Sequence, residues 1–142
     1  MHNILFVCTA NIFRSRFAEE VFNFLAIKEK IPARAFSAGL KVGEYHIRKI
    51  YRPALEQLEK LNIKPRRPNE LSLHIDEVQL TKYDQLICMD EAEHKPMVLS
   101  NSKLKEFNFE YWDIIDEPKV QSDVSLPICY NKVKEIVDGL KK

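Results

Sequence analysis

Apolar residues along this chain fall into short dense blocks, separated by longer stretches in which they recur every three or four positions. The first block, residues 3–8 (NILFVC), is almost wholly apolar, as a parallel strand covered on both faces should be. Residues 15–29 then space Phe17, Val21, Phe24 and Leu25 as a helix does, with Ser15 as its N-cap or first-turn residue. Residues 33–39 predict a second strand ending at Gly39. Residues 52–63 predict a helix with Pro53 in its first turn and Leu55, Leu58 and Leu61 along one side. A Pro-broken stretch follows, with a short helix near 76–82. Residues 83–90 predict a third strand, and 91–100 a short helix kinked or stopped near Pro96. Residues 107–115 predict a fourth strand, 116–127 a polar loop, and 128–142 a closing amphipathic helix. Strand alternating with helix is the pattern of an α/β fold, here an open four-stranded parallel sheet in three layers with helices on both faces. A length of 142 residues suits a single domain spanning 1–142.

Composition narrows the function classes. Twenty-two basic residues against 21 acidic ones leave a net charge of +1, so nothing global argues for nucleic acid or a membrane surface. The N-terminal apolar run is too short for a secretory signal, and no stretch approaches the roughly 20 apolar residues of a membrane span. The three cysteines, Cys8, Cys88 and Cys129, are odd in number, widely spaced and without a CxxC pair. Free thiols in a reducing compartment fit this better than a disulfide frame or a zinc site, and a cytoplasmic location is expected. Cys88 and Cys129 read as core residues. His74 and His94 have no metal-like spacing and read as surface or helix-turn positions. No glycine-rich nucleotide loop occurs.

In open parallel sheets, ligands bind beyond the carboxyl ends of the strands. That directs attention to residues 8–15, 88–92 and 113–120. In the first, Cys8 ends a strand, Arg14 follows six positions later, and Ser15 begins a helix. Consecutive backbone N–H groups in such a turn, with a helix N-terminus behind them, form an anion site. Arginine adds a planar fork for phosphate oxygens. A cysteine in that field is favoured as thiolate and could attack the bound anion. A free cysteine is more commonly a small buried hydrophobe, and a C-x5-R pair arises often by chance. The residues alone leave both readings open.

The segment VCTANIFRSRFAEE resembles the low-molecular-weight protein tyrosine phosphatase signature, V-C-x-G-N-x-C-R-S-P-x-A-E. The resemblance continues in order through SAG (37–39), YDQLICMDEAEH (83–94) and YWDIIDEP (111–118). It implies a flavodoxin-like topology of the phosphotyrosine phosphatase type and hydrolysis through a phosphocysteine on Cys8, with Arg14 as phosphate clamp. Backbone N–H groups of Thr9, Ala10, Asn11, Ile12, Phe13, Arg14 and Ser15 would cradle the phosphate. Asn11 and Ser15 would support the loop and the thiolate, and Ser37 would brace the loop from the second strand. Asp116 is the general acid if the W-D-I register holds, and Glu117 is the alternative if the proline sets the register. No metal or organic cofactor is implied. The implied partner is a phosphorylated protein or a small phosphomonoester, with no nucleic acid and no membrane.

Departures from the signature carry their own expectations. Ala10 replaces a glycine and would cost about 1 kcal/mol if its φ were positive. Phe13 replaces a second loop cysteine, removing a protective disulfide partner, so Cys8 would face irreversible oxidation. Arg16 replaces a proline and would add a charge near the rim. No aromatic residue follows Pro118, which leaves Tyr45, His46 and Phe13 as candidates to line the pocket. Arg48, Lys49 and Arg52 read as a solvated face. Two other functions stay in view. One is a phosphate- or phosphopeptide-binding relative with little turnover, suggested by Ala10 and the altered acid loop. The other is an arsenate-reductase-like thiol redox protein, disfavoured because no resolving cysteine pair is present.

Overall fold

The computed structural model describes residues 1–43 and 48–141. Four parallel strands, β1 (His2–Cys8), β2 (Ala33–Gly39), β3 (Gln85–Cys88) and β4 (Glu110–Tyr111), form one sheet in the order β2-β1-β3-β4. Four helices connect and close it: α1 (Arg14–Lys28), α2 (Arg52–Lys60), α3 (Glu91–Leu99) and α4 (Ser122–Leu140). β1 is central and covered on both faces, which explains its unbroken apolar run. Its side chains alternate. Ile4, Phe6 and Cys8 face a core built with Phe17, Val21, Leu58, Val133 and Val137 of α1, α2 and α4. Leu5 and Val7 face the opposite core, with Ala38, Leu86, Val98 and Leu104.

Two elements differ from the reading of the sequence. The fourth strand pairs only at Glu110–Tyr111, although Phe107 and Phe109 are packed into the core beside it. Among the described residues its only neighbour is β3, itself four residues long, so the apolar alternation of 107–115 reports burial rather than ladder length. The last helix begins at Ser122 rather than at residue 128. Pro127 stands inside it and removes one helical N–H donor, but Leu126, Cys129, Val133 and Val137 form one continuous buried stripe. Burial of that stripe outweighs the lost bond. α3 likewise runs through Pro96 to Leu99.

The turn between β1 and α1 is shaped by Asn11, which takes a left-handed φ of 57°. Ala10 has no positive φ, so the strain expected there does not arise. Asn11 Nδ2 donates to Ser15 Oγ at 2.9 Å, and Asn11 Oδ1 accepts from the Leu73 amide at 3.0 Å. The end of β2 backs directly against this turn. Leu40 N donates to Cys8 O at 2.9 Å and Lys41 N to Thr9 O at 2.8 Å. A Cβ on Gly39 would lie 2.8 Å from Thr9 O and 2.6 Å from a Val42 methyl, which explains why that position has no side chain.

Gly39→Ala is therefore expected to destabilise the protein by about 1–3 kcal/mol in chemical denaturation, by forcing backbone apart. Asn11→Ala is expected to cost about 2–3 kcal/mol, from a left-handed alanine and a buried turn stripped of its amide bonds. Asn11→Gly recovers about 1 kcal/mol of that, since it relieves only the backbone strain.

Candidate active site

Cys8 closes β1 with its side chain only 3% exposed, and its Sγ lies 2.9 Å from Ser15 Oγ. Ser15 Oγ already accepts from Asn11 Nδ2, so its own hydrogen is free to donate to the sulfur. Arg14 opens α1 and is 1% exposed. Its Nη1 donates to Ile114 O at 2.9 Å, beyond β4. Its Nη2 donates to Glu93 Oε2 at 2.8 Å and lies 3.4 Å from Asp116 Oδ2. Its Nε–H is buried and has no partner among the described residues. The guanidinium is thus held through both terminal nitrogens and keeps its Nε–H for a further acceptor.

The two candidate acids point in different directions. Asp116 lies against Arg14, whereas Glu117 Oε2 accepts from the Ser122 amide at 3.2 Å and caps the start of α4. Burial pushes the Asp116 carboxyl above the usual aspartate range; Arg14 opposes this, Glu93 adds to it, and Glu117 acts both ways, its amide bond to Asp116 Oδ1 lowering and its charge raising. A cleft of about 380 Å³ opens between Asp90–Glu93 and Ile115–Lys119.

Glu93 and His94 were not among the residues expected here. His94, read from the sequence as a surface or helix-turn residue, is fully buried beneath the turn. Its Nδ1 accepts from the Asp90 amide at 3.1 Å, which places the proton of the neutral ring on Nε2. That Nε2 lies 3.1 Å from both Glu93 Oε2 and Thr9 Oγ1. Thr9 Oγ1 also donates to Glu93 Oε2. Burial alone would raise the Glu93 pKa, but bonds from His94, Arg14 and Thr9 outweigh it and hold the carboxyl well below the usual range. The available signal was position: Glu93 lies one residue past the 88–92 window, within the first turn of the helix that leaves β3.

Some of the other sequence expectations are corrected by their surroundings, while the reading of Cys88 and Cys129 as core and of His74 as a turn residue holds. The Ser37 hydroxyl donates to Glu19 Oε1 at 2.5 Å, so it braces α1 rather than the turn itself. Arg16 is no rim charge: it is 1% exposed, and its Nη1 and Nη2 donate to Glu70 O and Arg67 O. Phe13 does not line the mouth; it is buried with its ring edge-on to Tyr51. Arg48 is tied to Ser72 O at 2.8 Å rather than left wholly in solvent. His74 caps the turn at Ile75–Glu77. Tyr45 and His46 lie outside the described residues. Cys88 and Cys129 are fully buried. Burial pushes the Cys88 thiol far above its ordinary value and the Cys129 thiol up to about 12. Among the described residues, no cluster of His, Cys, Asp and Glu is arranged to hold a metal ion, and no helix is long and apolar enough to cross a membrane.

Comparison with known proteins adds to this geometry. YfkJ from Bacillus subtilis superposes with a TM-score of 0.83 at 24% identity, over 99% of this chain and 95% of that one. YwlE from the same organism, described as an arginine phosphatase and solved as a mutant with a phosphorylated active-site serine, gives 0.78 at 21%, over 99% and 96%. An arsenate reductase from Archaeoglobus fulgidus gives 0.71 at 24%, over 95% and 98%. At such identities these likenesses show the fold. No curated protein matches the chain by sequence. The family model for low molecular weight phosphotyrosine protein phosphatase matches residues 3–142. The chain belongs to the low molecular weight phosphotyrosine protein phosphatase family.

Proposed function

We propose that this chain hydrolyses phosphomonoesters by passing the phosphoryl group through Cys8. The observation that carries the reading is the convergence on one guanidinium. Arg14 keeps a buried, unpartnered Nε–H at the turn that holds Cys8, and Asp116 lies 3.4 Å from its Nη2. In the first step the Cys8 sulfur attacks phosphorus, an S–P bond forms and the ester P–O bond breaks. Asp116, protonated, gives its proton to the departing oxygen. Arg14 and the backbone N–H groups of residues 9–15 take up the charge on the equatorial oxygens. In the second step Asp116, now a carboxylate, takes a proton from water. The water oxygen attacks phosphorus, releasing phosphate and the thiolate. Ser15, 2.9 Å from the sulfur, stabilises it as leaving group.

Asp116 is favoured over Glu117 as acid because the Glu117 carboxylate is engaged at the start of α4. The absence of positive φ at Ala10 removes one reason for reading the chain as a binding protein without turnover. Thiol redox chemistry is disfavoured because Cys88 and Cys129 are buried thiols with raised pKa values, which suppresses the thiolate needed to resolve a disulfide. Substrates would be phosphorylated proteins or small phosphomonoesters.

The test is hydrolysis of phenyl phosphate and p-nitrophenyl phosphate without added metal. Cys8→Ser is expected to abolish both. Asp116→Asn is expected to lower phenyl phosphate turnover by about 10²–10⁴-fold. The loss should be smaller for p-nitrophenyl phosphate, whose leaving group needs a proton less. Glu117→Gln is expected to change little. Activity that survives Cys8→Ser sinks the mechanism, and a large loss in Glu117→Gln but not in Asp116→Asn moves the acid to Glu117.

A further inference from the structure

Two carboxylates share one nitrogen in this site. Glu93 Oε2 lies 2.8 Å and Asp116 Oδ2 3.4 Å from the same Arg14 Nη2. Glu93 comes from α3 and Asp116 from the loop after β4, so the pair is made by the fold and not by local sequence. Glu93 cannot easily turn away. Its Oε2 is held by Thr9 Oγ1, by His94 Nε2 and by Arg14. Nor does the imidazole cancel its charge. His94 Nδ1 accepts a backbone N–H, a bond that protonation of that nitrogen would break. Glu93 is therefore a fixed anion facing Asp116 across a single cation, with both side chains on the wall of one cleft.

We propose that Glu93 is a positioning residue that holds Arg14 in the clamp orientation and keeps Asp116 protonated for its role as acid. This rests on the reading of Asp116 given above. Like charges at this range disfavour ionising the second group, and they act strongly where water is partly excluded. The other groups facing Asp116 act differently or more weakly. Arg14 favours the ionised form, as does the Glu117 amide, which donates to Asp116 Oδ1 at 2.9 Å; the Glu117 carboxylate pushes the same way as Glu93 but less, being drawn off to the Ser122 amide, and Asp90 and Lys119 line the cleft with opposite charges. The upward push on the Asp116 carboxyl, in which burial leads and Glu93 adds to it, agrees in direction with this geometry. The bonds that hold Glu93 ionised are the same ones that fix its place.

The experiment is a carbon-13 NMR titration of the Asp116 carboxyl in the parent, Glu93→Gln and Glu93→Asp, which requires no turnover. Glu93→Gln is expected to lower the Asp116 midpoint by about one pH unit. Glu93→Asp, which keeps the charge, is expected to hold it near the parent value. In parallel, the basic limb of the kcat/KM profile for phenyl phosphate should fall by the same amount in Glu93→Gln. A merely structural role would lower the plateau and leave the limb in place. An unmoved Asp116 midpoint in Glu93→Gln overturns the proposal. Should that variant fail to fold, Glu93→Ala removes the same charge and leaves solvent at the cleft wall, and the same criterion applies. A parent that hydrolyses no phosphomonoester would instead defeat the catalytic reading, while the midpoint would still decide the action of Glu93 on Asp116.

Discussion

A buried guanidinium must be compensated on several sides, and at Arg14 that requirement organises the site. Placing a full positive charge in the interior is costly unless hydrogen bonds and counter-charges surround it. Here they come from elements distant in sequence: the Ile114 carbonyl beyond β4, Glu93 on α3 and Asp116 on the loop that follows. The carboxyl ends of β1 and β4 and the start of α3 are thereby drawn to one point. Among the described residues Nε is left without a partner, and under the proposed function that donor is where an incoming anion would have most to offer.

A second buried ionic cluster supports α1 from the other side. Glu20 accepts the amides of Arg66 and Arg67, Glu19 lies 3.3 Å from Arg67 Nε, and Arg16 donates to the carbonyls of Arg67 and Glu70. The Pro-broken stretch after α2 has little secondary structure of its own, yet its backbone groups are paired here. This fastens 66–70 to α1, and Leu73 then reaches Asn11 and Gly39. The helix that presents Arg14 is thus held by charged residues that a linear reading assigns to solvent.

Much of the fold was legible because it depends on periodicity. The apolar run of 3–8, the helical spacing after Ser15 and the strand–helix alternation follow directly from burial patterns, and the sheet bears them out. What escaped notice depends on partners. Phe107 and Phe109 look like strand residues, but a ladder needs a neighbour, and β3 is too short to provide one. Pro127 looks like a helix boundary until Leu126 is seen packed in line with Cys129 and Val133. Cys8, Arg14, Ser15 and Asn11 could be picked out because their chemistry sits in one continuous turn. Glu93 and His94 could not, because their part in the site exists only once α3 lies against that turn. Arg16 and Phe13 show the converse: a charged residue that is buried and an aromatic spent on packing, neither of which side-chain type predicts.

The turn has one more attachment, on the side of α2. The Tyr51 amide, at the entry to α2, donates to the Ile12 carbonyl at 2.6 Å, and the neighbouring Phe13 ring packs on Tyr51. For that amide to exchange its hydrogen with water, the turn must release it. Anything that stiffens residues 9–15 slows that release. If an anion binds at the turn as proposed, the start of α2 becomes a gauge of its arrival, readable one amide at a time.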